Sequence, residues 1–323
     1  MLIVYTGDGG RLYFDGSSII CLNGEVLGQA SQFSLKDVEV ISCTIDLADV
    51  RTFRQGINSF QEHSSRAALK IENLIVSSLD LRNYTLCYQN EWRRPLSLPI
   101  EPRIHTPEEE CGLGPACWMW DYLRRSGAAG FLLPLSGGAD SAAVCCITRI
   151  MCQLAIDTAL QVDQITGDVV IKDQNVYQQI QKLMAHVKSK QEQGVRSIDY
   201  LTSDVVTINN EMHMNMKNMG DKLCDIVLHS IYMGTSNSSN ATRSRAQRLS
   251  EQVGAYHMGV SIDTVIESLV ILFSNTFGKT PKFVSNGGTM TEDLALQNIQ
   301  ARIRMVIAYL SAQLLPWIRY SYI

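Results

Sequence analysis

Phe131–Ser141 reads FLLPLSGGADS, and the apolar run AAVCCITRIMCQLA follows it directly. Five mostly apolar residues entering Ser136-Gly137-Gly138-Ala139-Asp140-Ser141 predict a buried strand, a tight glycine turn and a helix N-terminus. A turn of this kind gathers several backbone N–H groups at one point, and the helix dipole adds partial positive charge there, which suits a phosphate. Asp140 beside an anion site calls for a cation, and Mg²⁺ shared between its carboxylate and phosphate oxygens satisfies both. The stretch reads as a pyrophosphate-binding loop.

Order continues on both sides of the loop. Thr106-Pro107-Glu108-Glu109 has an N-cap, a Pro at N1 and a Glu at N3, the capping-box pattern, and a further helix is predicted over Pro115–Arg125. Downstream, Cys224–Tyr232 (CDIVLHSIY) is a second strand candidate, followed by the hydroxyl- and amide-rich loop Gly234–Thr242 (GTSNSSNAT). A helix over Arg243–Val253 leads to a third strand at Tyr256–Ile262. Strand, helix and strand at this spacing make a βαβ unit, hence an α/β domain with a parallel sheet. Its ligand belongs outside the C-terminal strand ends, where the loops after Leu135 and Tyr232 meet. His257 and Asp263 read as structural.

The last helix starts near Glu292, with Leu296, Ile299, Ile303, Val306 and Leu310 as its apolar stripe. Asn298 and Arg302 share one face, whereas Arg304 lies about 200° around from Arg302, so one ligand cannot easily use both arginines. Between the loop and the second strand, residues 155–220 are polar and weakly periodic and carry no assignable chemistry. The Met-rich run Met212–Met219 reads as a solvated helix or loop rather than a metal site.

Before residue 100 the chain is β-rich, then irregular. Asn23-Gly24 between Ser18–Leu22 and Glu25–Ala30 is a strong hairpin signal, because both turn residues tolerate positive φ. Val38–Leu47 (VEVISCTIDL) predicts a further strand, turning through Asp46–Val50 towards a short helix. Arg54 to about Arg103, with Pro95, Pro99 and Pro102, reads as a polar connector. The expected division is 1–100 and 101–323.

The 323 residues suffice for two domains, and 46% hydrophobic with 19% charged residues describes a globular chain. A formal net charge of −4 gives no basis for a nucleic-acid surface. Nine cysteines, none in CxxC spacing, fit reduced thiols in a cytoplasmic protein, with Cys21 and Cys43 as strand-packing residues. MLIVYTGDGG lacks a signal-type apolar core, and Arg302, Arg304 and Gln313 interrupt the last helix, so no membrane span is expected. The sequons at Asn83, Asn237 and Asn240 are then unglycosylated. Gly278-Lys279-Thr280 is not a Walker A loop, because Phe273 occupies its first glycine position, and no GxGxxG follows a strand.

SGGADS resembles the SGGxDS signature of PP-loop ATP pyrophosphatases, which split ATP between its α and β phosphates. GPACWMWDYLRR, LPLSGGADSAA, RAQRLSEQVGAYH and EDLALQNIQARIRMVIAYL resemble, in order, the synthetase domain of eukaryotic glutamine-dependent NAD⁺ synthetases. GRLYFDGSSIICLNGEVLGQASQFSLKDVEV is similar to the closing part of their nitrilase-like glutaminase domain. The resemblance implies the end of an α-β-β-α sandwich followed by part of a doubly wound, Rossmann-like parallel-sheet domain. It implies ATP-dependent amidation of deamido-NAD to NAD through an acyl adenylate, with ammonia drawn from glutamine; a homo-oligomer is expected from the apolar surface of helix 292–315, enough to join a dimer interface.

On that resemblance Ser136, Gly137, Gly138 and Ser141 hold the departing pyrophosphate, each charge-assisted bond contributing roughly 1.5–3 kcal/mol. Asp140 anchors Mg²⁺, Ser236 borders the purine or ribose of ATP, and Asn298 and Arg302 lie near the deamido-NAD dinucleotide. Ser136 and Asp140 are the catalytic candidates. The Glu-Lys-Cys triad of the glutaminase would lie upstream of Met1, so the chain by itself is expected to lack glutaminase activity. The resemblance fades near Leu315, and Asp293 stands where the family usually has Asn. A truncated or non-catalytic paralogue that binds nucleotide, or modulates full-length subunits, is the alternative function.

Overall fold

The structure is a computed structural model that describes residues 12–68, 95–163, 165, 169–185 and 212–320. The Asn83 sequon, much of the connector and residues 186–211 lie outside the described residues. The described residues fall into two compact units: 16–32 with 38–68 and 95–105, and 12–15 and 33–37 with those from 106 to 320.

In the first unit, strands β1 (Ile19–Leu22) and β2 (Glu25–Gln29) pair antiparallel, with an irregularity between Ile20 and Cys21. Asn23 and Gly24 take φ of 52° and 95°, so the hairpin forms where the turn chemistry places it. Val38–Asp46 is not a strand. Among the described residues its β-branched residues find no ladder, Val38 and Val40 are exposed, and Thr44 pairs with Ser97, donating its N–H to Oγ and accepting from the Ser97 N–H. β-propensity without a partner strand does not make a sheet. Cys21 is exposed, and only Cys43 sits close against the hairpin, at Gly28. Nor is the stretch after Arg54 irregular at first. Helix α1 (Leu47–Gly56), capped by Asp46, and helix α2 (Asn58–Ala68) occupy it.

The second unit holds the parallel sheet. Helix α3 runs unbroken over Pro107–Ser126, where two separate helices had been expected. Thr106 and Glu109 form the reciprocal capping box that starts it, and Gly127 in the left-handed region ends it. Pro115 sits inside the helix, with Gly112 and Gly114 on the preceding turn. Its missing N–H removes one main-chain bond, and the helix continues past it.

Strand β3 (Phe131–Pro134) follows, then the turn and helix α4 (Ala139–Ala159). By length and composition α4 could cross a membrane, yet Cys145, Met151, Cys152, Ile156 and Ala159 on it are buried in the protein core. A short antiparallel pair, β4 (Leu160–Val162) and β5 (Val169–Ile171), helix α5 (Gln174–Ala185) and helix α6 (Met212–Val227) lead to strand β6 (Leu228–Gly234). Cys224–Val227 belong to the last turn of α6, correcting the start of the second strand. Leu223, Cys224 and Val227 are fully buried at helical spacing. The Met-rich run is helical, with Met219 buried.

Helix α7 (Asn240–Val253) carries the chain to strand β7 (Tyr256–Ser261), and helices α8 (Asp263–Phe277) and α9 (Met290–Tyr320) complete the unit. The strand order is β3-β6-β7, all parallel, with every residue of β6 buried. Period-two alternation divides β6 between two cores. Leu228 and Tyr232 face the α3, α4 and α6 side, while Ile231 and Met233 join Ile262 and Ile303 on the α8 and α9 side. Of the stripe expected on α9, Leu296 and Ile303 are buried and Ile299 packs against the core with Ile303, but Val306 and Leu310 are exposed, and Ile307, outside the expected stripe, packs there instead.

Candidate functional site

The site lies at the C-terminal ends of β3 and β6. Leu135 extends the sheet by donating to Ile231 O, and the chain then turns through Ser136 and Gly137, whose φ is 79°. Helix α4 opens at Ala139 with no side-chain cap. Its first main-chain bond runs from Ala142 N to Gly138 O, so the N–H groups of Ala139, Asp140 and Ser141 stand at the helix mouth as donors. The Ser136 and Ser141 hydroxyls are 3.1 Å apart, and Ser136 Oγ also accepts from Gly138 N at 3.3 Å. These hydroxyl contacts are long and exposed, and so easily exchanged for an anion.

A second helix start faces the first. Ser239 caps α7 by accepting from Ala241 N, and Thr242 Oγ1 donates to Ser239 O while lying 3.1 Å from Tyr232 Oη. Pro134, Leu135, Ser136, Ser238, Thr242 and Arg304 are among the residues around the resulting cavity of about 340 Å³. Arg304 reaches it from α9, with Nε donating to Met233 O at 3.1 Å. Its terminal nitrogens have no partner among the described residues. Sequence reasoning passed over Arg304 in favour of Arg302. The available signal was its position beside Ile303, on the edge of the buried face of α9.

The other named residues fall into separate places. Asp140 is exposed, and its carboxylate makes no hydrogen bond or ion pair with described residues. Ser236 is not part of the cavity wall. Its N–H donates to Asp263 Oδ2 at 2.8 Å, and Ser261 Oγ donates to the same oxygen. These donors hold the Asp263 carboxyl below its ordinary range, the Ser261 hydroxyl first and the Ser236 N–H second. Asp263 thus fastens the loop after β6, a structural role. His257 is structural too: its Nδ1 is 2.8 Å from Ser230 Oγ and 3.2 Å from Ser250 Oγ, linking β6, β7 and α7. Asn298 and Arg302 are exposed on α9 and bonded to each other, Arg302 Nη1 donating to Asn298 Oδ1 at 3.2 Å, away from the cavity.

The described residues contain no group of three or more His, Cys, Asp or Glu that could hold a metal ion by itself. One unpaired carboxylate beside an anion site still fits Mg²⁺, which commonly takes one or two carboxylates and completes its shell with phosphate oxygens and water.

The NAD synthase family model matches residues 116–315, which include the loop, all three parallel strands and most of α9. The glutamine-dependent NAD(+) synthetases of Oryza sativa subsp. indica and Homo sapiens are each 41% identical to the chain, over 311 and 316 residues. These alignments cover 96% and 97% of the chain but only 37% and 38% of the relatives' own lengths. A glutamine-dependent NAD(+) synthetase from Cytophaga hutchinsonii has a similar fold, with a TM-score of 0.54 and 20% identity over 95% of the chain and 37% of its own. With the matched segment covering more than half of the sequence, the chain belongs to the NAD synthase family.

Proposed function

We propose that this chain carries the ATP-dependent step of NAD formation, amidation of deamido-NAD through an acyl adenylate. The observation that carries the reading is the uncapped start of α4, which follows Ser136 at the wall of a cavity that the start of α7 also lines, in a member of the NAD synthase family. A nicotinate carboxylate oxygen of deamido-NAD attacks the α-phosphorus of ATP, and the bond to the bridging oxygen of the β-phosphate breaks. The N–H groups of Ala139 to Ser141 and the hydroxyls of Ser136 and Ser141 donate to the pyrophosphate as its charge grows. Ammonia then attacks the acyl carbon, loses a proton, and AMP leaves. Asp140 would hold Mg²⁺, whose chemistry is neutralisation of the phosphate charge.

Arg304 extends the positive end of the cavity. Asn298 and Arg302, which touch each other outside it, are assigned to the dinucleotide on the strength of the family resemblance, as Ser236 is to the purine or ribose. The first unit is read as the end of a nitrilase-like domain, with ammonia coming from glutamine hydrolysed elsewhere. A cytoplasmic setting fits the free thiols. A homo-oligomer fits the exposed apolar side chains of α8 and α9, such as Phe273, Phe277, Val306 and Tyr309.

Pyrophosphate release from ATP, with deamido-NAD, Mg²⁺ and ammonium supplied, tests the reading. Turnover is expected to fall by about 10²-fold or more in Asp140→Ala, following the usual loss of a group acting on developing charge. Unchanged turnover in that variant would remove Asp140 from the mechanism, and nucleotide binding without turnover in the parent chain would favour a non-catalytic role.

A further inference from the structure

Helix α7 is tied to strand β6 by side-chain hydroxyls at two points. Near the end of the helix, Ser250 Oγ lies 2.7 Å from Ser230 Oγ. In its first turn, Thr242 Oγ1 lies 3.1 Å from Tyr232 Oη, two residues further along the strand. The direction of this second tie follows from proton count. Thr242 has one hydroxyl hydrogen and gives it to Ser239 O at 2.7 Å, so the Tyr232 phenol donates to Thr242 and Thr242 donates to Ser239.

Tyr232 is a fixed point for that relay. Its side chain is buried in a strand with no exposed residue, and the Arg243 guanidinium lies over its ring at 5.7 Å. A Cβ on Gly234 would stand 2.8 Å from Tyr232 Cε1, so the ring occupies space that only a glycine there leaves open. At the other end of the relay, the Thr242 carbonyl crowds Gly137. Support from the sheet therefore passes through Tyr232 and Thr242 to the Ser136–Ser141 turn. The turn needs it, because its own hydroxyl contacts are long and exposed.

We infer that the Tyr232 and Thr242 hydroxyls are positioning groups for the Ser136–Ser141 turn. The phenol sets where Thr242 stands, and the Thr242 carbonyl sets the path of the main chain at Gly137. Neither hydroxyl touches a reacting atom. Their consequence for function rests on the proposed ATP site: N–H groups at the mouth of α4 bind phosphate well only when held within about half an ångström of the productive geometry. The tie at Ser250 has no such link to the turn and serves stability alone.

Tyr232→Phe is the test, because it removes one oxygen and leaves the ring beside Gly234 and Arg243. In the nucleotide-free protein, the backbone amide signals of Gly137 and Gly138 should shift or broaden in NMR spectra, which separates positioning from direct contact with a ligand. Calorimetric affinity for ATP and for inorganic pyrophosphate, each with Mg²⁺, should fall about two- to tenfold, the range of one hydrogen bond. Thr242→Val should act in the same direction, and Thr242→Ser should keep the parent affinity. Ser250→Ala, which cuts only the other tie, should lower the melting temperature and leave the glycine signals and both affinities as they are in the parent. Unmoved glycine signals or unchanged affinities in Tyr232→Phe, or an equal loss of affinity in Ser250→Ala, would overturn the inference. A parent chain that binds neither ATP nor pyrophosphate would instead overturn the ATP reading, and the glycine signals would still decide the positioning.

Discussion

The carbonyl oxygen of Thr242 lies 2.5 Å from the point where a Cβ on Gly137 would stand. The start of α7 is therefore seated against the bare backbone of the Ser136–Ser141 turn, and the turn's shape depends on an element about a hundred residues downstream. Gly137 also has φ of 79°, so a side chain meets strain and a backbone collision at once.

Gly137→Ala should therefore lose ATP binding and melt several degrees lower, since strain of this kind costs about 1–3 kcal/mol before the collision is counted. Gly138→Ala is the matched control. Its φ is −91°, and the nearest obstacle is the movable Ser136 hydroxyl at 3.3 Å. Thermal melts and ATP titrations of both variants would check this, and equal effects would show that the contact with Thr242 does not matter.

Arg304 and Arg302 should separate by experiment. Arg304→Ala removes the guanidinium that lines the cavity and is expected to weaken ATP binding about 10- to 100-fold, the range of one charge-assisted hydrogen bond. Arg302→Ala should leave ATP affinity unchanged, because its side chain bonds Asn298 away from the cavity. Calorimetric titration with ATP compares the two directly.

The base of the sheet should be pH-sensitive. His229 is 7% exposed, and burial and the nearby Arg319 guanidinium push its pKa from 6.5 to about 4. Arg319 Nη1 lies 3.0 Å from His229 Nε2, and its guanidinium also stacks over the Tyr256 ring at 4.0 Å. Neutral His229 accepts from Arg319, whereas a protonated ring would set two cations together. The unfolded chain takes up this proton near 6.5 and the folded chain only near 4. The stability it supports is thus complete above pH 6.5 and declines as the pH falls towards 4. The loss is worth at most roughly 3 kcal/mol. Urea unfolding across that range should show the decline in the parent protein and a flatter profile in His229→Gln.

Thr106→Ala should cost about 1 kcal/mol by removing one half of the capping box on α3. Thr106 Oγ1 accepts from Glu109 N at 3.3 Å, while Glu109 Oε2 accepts from Thr106 N at 3.0 Å. A lower melting temperature with unchanged ATP affinity is the expected outcome. Thr106→Ser should restore most of the stability, because it keeps the acceptor.

Features legible in the sequence were those whose causes are local. The Asn23-Gly24 hairpin follows from two residues that tolerate positive φ, the Thr106 start from a four-residue capping pattern, and the Ser136–Ser141 turn from an apolar run broken by two glycines at a helix start. Their energetics are set within a few residues, so neighbours in sequence suffice to determine them.

Tertiary structure decided what depends on partners. Val38–Leu47 has strand chemistry but no ladder, Cys224–Val227 became helix because α6 buries them on the core, and α3 passes through Pro115 as a single helix. At the loop, the sequence by itself determined that Ser136–Ser141 forms a glycine turn between a strand of an α/β sheet and a helix start. The tertiary structure decided that Thr242 closes against Gly137 and that Arg304, rather than Arg302, lines the cavity. Periodicity ranks the faces of a helix, but only packing against β6 determines which edge of α9 reaches Met233.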